Sequence, residues 1–182
     1  MKSFLIIFAA ILAGLGALLY APDDKSVENF IGEAALPAGS LVERKSREIP
    51  LGAREYKNEH YGFSVLYPDI LSMKEIDEGG GAATIIFQNV EKGLGFQIFI
   101  VPYVEKQVSE ERFLKDVPSG VRKESKDFQI DGALATGFYS NNAFLGETRE
   151  VWFIHGSFLY EVTAHRSMET LFAEIIATWK FL

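Results

Sequence analysis

The chain has 182 residues, a formal net charge of -7 and no cysteine. That charge argues against a nucleic-acid binder, which needs a basic footprint to displace counterions. The missing thiols exclude a disulfide framework, a cysteine nucleophile, an iron-sulfur cluster and a lipid-modified cysteine, so stability must come from packing one core.

Lys2 precedes an uncharged run over residues 3–22 whose bulk comes from Phe4, Leu5, Ile6, Ile7, Phe8, Ile11, Leu12, Leu15, Leu18 and Leu19. The run is near the length a helix needs to cross hydrocarbon, where a backbone must satisfy its own hydrogen bonds. It predicts an uncleaved signal-anchor over residues 1–22. The alternative is a cleaved signal peptide, for which the junction after Ala21 is a poor substrate, with bulky Leu19 before it and Pro22 after it. Lys2 on one side and Asp23 and Asp24 on the other predict a single-pass protein of the cell membrane with its domain on the extracytoplasmic side. Cleavage would instead give a secreted or periplasmic protein.

Residues 23–52 read as a connector. Val27, Phe30, Ile31 and Ala34 recur at helical spacing until Pro37, Gly39 and Ser40, which predicts a short amphipathic helix. Arg44, Lys45 and Arg47 are offset by Glu43 and Glu48, so this cluster reads as a solvated face.

A domain follows over residues 53–182. Phe63, Val65 and Tyr67 alternate with Gly62, Ser64 and Leu66 until Pro68, and Ala83, Ile85 and Phe87 resume the two-residue period after Gly79, Gly80 and Gly81. Phe96, Ile98 and Ile100 share one face of a strand over residues 94–101, closed by Pro102. Ser109 is placed to cap a helix with Glu110 and Glu111 in its first turn, a Val108–Phe113 staple, and Phe113, Leu114 and Val117 as its buried side. Four strand segments follow from about Arg122. Asp131 and Gly132 form the first turn, Ser140, Asn141 and Asn142 a polar loop, and His155 and Gly156 a hairpin centre. The closing helix starts at Ser167 or a neighbour and buries Leu171, Phe172, Ile175, Ile176 and Trp179. The expected class is α+β, an antiparallel β-sheet with helices segregated to a face. Trp152, Tyr160, Phe138, Phe96 and Phe63 are expected in the core.

Three stretches carry a family resemblance: YKNEHYGFSVLYP (residues 56–68), REVWFIHGSFLYEVTAH (residues 149–165) and METLFAEIIATWKF (residues 168–181). Together they resemble the PsbP-like domain family. The resemblance implies an α/β/α sandwich, shared with a yeast nuclear-import factor, and a family that includes small bacterial proteins attached to membranes. Photosystem members help retain calcium and chloride at the oxygen-evolving complex, and the nuclear member binds a small GTPase. Neither binding surface maps residue by residue onto this chain, so the resemblance implies a fold and, by analogy, a non-catalytic binding or assembly role.

Candidate chemistry is sparse. His60, His155 and His165 could join Glu161 and Glu59 around a metal, but their spacing is no motif. Glu161 and His165, four apart along a strand, have backbones about 13 Å apart. Ser157 and Ser167 lie near histidines without a nucleophile elbow. Gly79–Gly81 lacks the lysine and following helix of a phosphate loop. Glu110 and Glu111 point along different sides of a helix, and Glu147 with Glu150 shares a stretch of strand without a visible pocket. The expectation is therefore no catalytic, cofactor-binding or metal-binding set, and no nucleic-acid partner. The expected partners are the membrane, through the N-terminal helix, and an unidentified protein or small ligand. The alternative function is a small extracytoplasmic hydrolase or metal-dependent enzyme.

Overall fold

The computed structural model describes residues 49–182. The expected signal-anchor, the expected amphipathic connector helix and the Arg44, Lys45 and Arg47 cluster lie outside the described residues. Among the described residues no helix is long and apolar enough to cross a membrane.

The described residues form ten strands and two α-helices in the order β1 (Ala53–Asn58), β2 (Phe63–Pro68), β3 (Ser72–Gly79), β4 (Ala82–Asn89), β5 (Leu94–Pro102), α1 (Glu110–Asp116), β6 (Lys123–Ile130), β7 (Ala133–Asn142), β8 (Gly146–His155), β9 (Phe158–His165), α2 (Glu169–Ala177) and β10 (Lys180–Phe181). A seven-stranded sheet runs β3-β4-β5-β9-β8-β7-β6 and a three-stranded sheet runs β1-β2-β10. Every strand pairing is antiparallel. This is the expected α+β class with a second small sheet added.

The large sheet's inner face is written in its register. Ile85 pairs Ile98, Ile98 pairs Val162, Val162 pairs Val151, and Val151 pairs Gly137. β-branched side chains fill a pleated face well, and this row is buried up to its last member, a glycine without a side chain. The small sheet and α2 close over the row, with Phe63, Val65, Phe172, Ile175 and Trp179 in the same core. β2 is buried along both faces from Phe63 to Tyr67, not only at alternate positions: Phe63, Val65 and Tyr67 enter the core, and Leu66 on the other face is met by Thr178 at the end of α2.

The opposite face of the large sheet carries a second core of Phe113, Val117, Phe138 and Trp152 under α1. The helices therefore cover both faces, where the periodicity alone predicted one. Ser109 caps α1 by accepting the Arg112 N–H, as expected, and Val108 packs on the same cluster. Leu114 departs from expectation: α1 has only seven residues, and Leu114 is 48% exposed on its far side.

Other local corrections have plain causes. The β8–β9 hairpin turns on Gly156 and Ser157, both at positive φ, while His155 still pairs with Phe158. Residues 140–142 are strand, paired with Thr148, Glu147 and Gly146. His165 caps a 3-10 turn over Arg166–Met168 by accepting the Ser167 N–H, and α2 continues from that turn at Met168 without a side-chain cap of its own. Trp179 is buried as expected but lies beyond the helix, after Thr178 at its C-terminus.

Candidate functional site

The residues singled out from the sequence are scattered. His60 is exposed in the β1–β2 turn with its ring edge against Tyr61. His155 stacks on Phe181, centroids 3.6 Å apart, and His165 binds Ser167 through Nδ1 at 2.7 Å. That nitrogen also accepts the Ser167 N–H at 3.1 Å, so the serine–histidine contact is a helix start rather than a base poised on a nucleophile. Ser157 is exposed in a turn at φ 67°. Glu59 pairs with Lys57, Glu147 pairs with Arg166, and Glu110 and Glu111 are exposed on α1. Gly79–Gly81 closes the β3–β4 hairpin and leads into a strand. Among the described residues, no group of three or more His, Asp or Glu side chains is arranged to hold a metal ion.

Two of the glutamates have a different place. Glu150 and Glu161 are buried on the sheet face beneath α1, each about 5% exposed. Glu150 accepts from the hydroxyls of Thr148 and Thr163 at 2.6 Å each and from the Trp152 indole at 3.4 Å. Glu161 meets Arg112 at 3.3 Å, and Arg112 also pairs with Asp116 one helical turn on. One guanidinium thus serves two carboxylates. Burial raises the Glu161 carboxyl well above its ordinary value, reinforced by the adjacent Asp116 charge. Burial also raises Glu150, opposed by the hydroxyl and indole donors that favour its charged form. These groups spend their bonding on one another and pin α1 to the sheet.

A concavity lies on the inner face, between α2 and strands β6 and β8. It is a groove of about 340 Å³ lined by Phe128, Ile130, Val151, Phe172, Ile176 and Trp179, with Arg149, Glu169, Asp131 and Lys180 among its polar members. The volume is within the range of small-molecule sites. A second, more acidic depression of about 390 Å³ sits at His60, Glu75, Asp77 and the Gly79–Gly81 turn.

Arg149 is the unusual member of the groove. Alternation along β8 places it on the same face as Val151 and Phe153, an inward position at which a charge is rare. It pairs with Tyr139 across β7 and lies over that ring, 4.8 Å from its centroid, while Arg166 covers Tyr139 at 4.7 Å. Gly137 makes room: a Cβ there would stand 2.8 Å from Arg149 Nη2 and 3.0 Å from the Phe128 ring. Lys180 is matched by Asp131 at 3.0 Å and Arg166 by Glu147 at 2.7 Å. Among the described residues Arg149 has no carboxylate within ion-pair distance. The Tyr139 hydroxyl donates to Glu169, and this bond is the main cause of the raised pKa of the phenol. At the floor, the Trp179 indole N–H is buried without an acceptor. Sequence reasoning missed this site, although an arginine in the inward phase of β8 was its one visible sign.

No family model matches the chain, and no curated protein matches it in sequence. Among solved structures, the solution structure of cyanobacterial PsbP (CyanoP) from Synechocystis sp. PCC 6803 is similar, with 15% identity and a TM-score of 0.52 over 79% of this chain and 100% of that one. A crystal structure from Bacteroides thetaiotaomicron matches with 18% identity and a TM-score of 0.44, over 72% of this chain and 49% of that one. The full coverage of CyanoP, together with the two-faced helical packing on an antiparallel sheet, shows that the domain has the PsbP-like fold.

Proposed function

We propose that the protein is a non-catalytic binding or assembly module, tethered to the cell membrane by residues 1–22 with its domain on the extracytoplasmic side, and that the groove at Arg149 is its binding surface. The observation that carries this reading is the unmatched guanidinium of Arg149, held in place by Gly137 and Tyr139 against apolar walls. Arg149 is half-buried and has no counter-charge among the described residues, so a ligand that supplies one gains a charge-assisted hydrogen bond there. The tether is supported by the uncharged run after Lys2 and by Asp23 and Asp24 beyond it. A binding role is also supported by the carboxylates under α1, which are engaged with Arg112, Thr148 and Thr163 and lie away from both concavities.

Arginine labelling with a membrane-impermeant dicarbonyl reagent tests both halves of this reading. Cells with any outer envelope permeabilised are compared with the purified full chain. Exposed Arg54, outside the groove, should be labelled in both samples, and Arg149 should be shielded in cells relative to the purified protein. Arg54 reacting only after lysis would contradict the orientation. Equal labelling of Arg149 in the two samples would contradict an occupied groove.

A further inference from the structure

We infer that the groove takes a small apolar carboxylic acid, its carboxylate on the Arg149 fork and its apolar body against the half-buried ring of Phe128. The inference rests on the groove being the binding surface and adds the chemistry of the occupant. Two features of the groove lack a complement, and both are donors: the Arg149 guanidinium has no carboxylate partner among the described residues, and the Trp179 indole N–H has no acceptor. The other cation lining the groove, Lys180, is already matched by Asp131, so the missing partner is an acceptor at Arg149 rather than general negative charge. A planar guanidinium stacked on an aromatic ring presents its donors in a fork that fits a carboxylate in bidentate fashion. The walls supply the second half of the specification. Phe128, Val151, Phe172 and Ile176 bound a space of about 340 Å³, which suits a compact apolar group. An inorganic anion would satisfy Arg149 and leave the half-buried Phe128 ring uncovered.

The probe is 3-phenylpropionate, titrated into the full chain in nanodiscs with the indole nitrogens labelled for NMR. The chain has two tryptophans, which makes one a reporter and the other a control. Trp179 lines the groove, whereas Trp152 lies under α1 bonded to Glu150. The Trp179 N–H resonance should move saturably while that of Trp152 stays. 3-Phenylpropionamide, which has the same body without the charge, should bind about tenfold more weakly or worse, as should 3-phenylpropionate to Arg149→Gln. Arg149→Lys, which keeps the charge and loses the fork, should fall between, and an unmoved Trp152 resonance certifies that each variant is folded. Equal binding of acid and amide, unchanged affinity in Arg149→Gln, or a still Trp179 resonance would overturn the inference. A short peptide ending in a phenylalanine carboxylate that binds more than about tenfold tighter than 3-phenylpropionate would overturn it in favour of a partner's C-terminus. If Arg149 is shielded in cells while no carboxylate probe binds, the inference falls and the binding module stands.

Discussion

The guanidinium of Arg149 occupies the space that a side chain at Gly137 would fill, with Nη2 2.8 Å from the position of a Cβ on that glycine. The two residues sit on neighbouring strands, and the strand-interior glycine has no positive φ to account for it. The missing side chain lets the Arg149 guanidinium approach the β7 backbone beside the Tyr139 ring.

Gly137→Ala follows directly from that contact. The crowded atoms belong to the end of a flexible arginine and the edge of one ring, so the fold should survive with a loss of about 1 kcal/mol, the low end for overpacking. The guanidinium must swing away, so affinity for the groove's ligand should drop by about tenfold. Denaturant unfolding and the Trp179 titration read the two effects separately. Unchanged affinity would show that the position of Arg149 does not matter.

Trp179 is expected to be a main anchor of the core. Its ring stacks on Phe63 with centroids 4.4 Å apart and meets Phe153 edge-on at 5.0 Å, and it is 2% exposed. Trp179→Ala should cost about 3–5 kcal/mol through the cavity left behind. A denaturation midpoint equal to that of the parent would refute this.

The carboxylates beneath α1 set a pH dependence. Glu161 and Glu150 both have folded-state values raised above about 4.5, the ordinary glutamate value, so the folded state holds protons that the unfolded chain releases. Their contribution to stability is complete below that ordinary value and is lost as pH rises through the raised folded values, with a slope of at most about 1.4 kcal/mol per pH unit for each extra proton. Glu161→Gln imitates the protonated form and should flatten the decline of stability above pH 4.5. A parent and variant with parallel stability–pH curves would show that Glu161 titrates normally.

The fold was readable wherever one face of an element is buried and the other is not. β5 displays Phe96, Ile98 and Ile100 at a period of two, and α1 announces itself through Ser109 and its acidic first turn. β3 was not readable, because it is an edge strand whose residues are exposed apart from half-buried Ile76 and Glu78. β10 is two residues long, too short for any pattern, and it explains why Trp179 looked helical: helix end, tryptophan and strand follow within four residues, 178–181. The groove was hidden for a different reason. Phe128, Gly137, Arg149 and Trp179 come from β6, β7, β8 and the segment after α2, and only the strand register brings them together.

The proposed N-terminal tether has its own signature. Intact mass of the membrane fraction should give the full chain with residues 1–22 present, because Leu19 and Pro22 flank a poor cleavage junction. A soluble product beginning near Pro22 would make the protein secreted or periplasmic.

The central claim, that the groove at Arg149 is where this protein binds, is tested most directly by native mass spectrometry of the full chain released gently from its own membranes. The parent protein should carry a non-covalent adduct that is lost from Arg149→Gln while the folded charge-state distribution is kept. A bare mass for the parent, or an adduct retained equally by the variant, would contradict it.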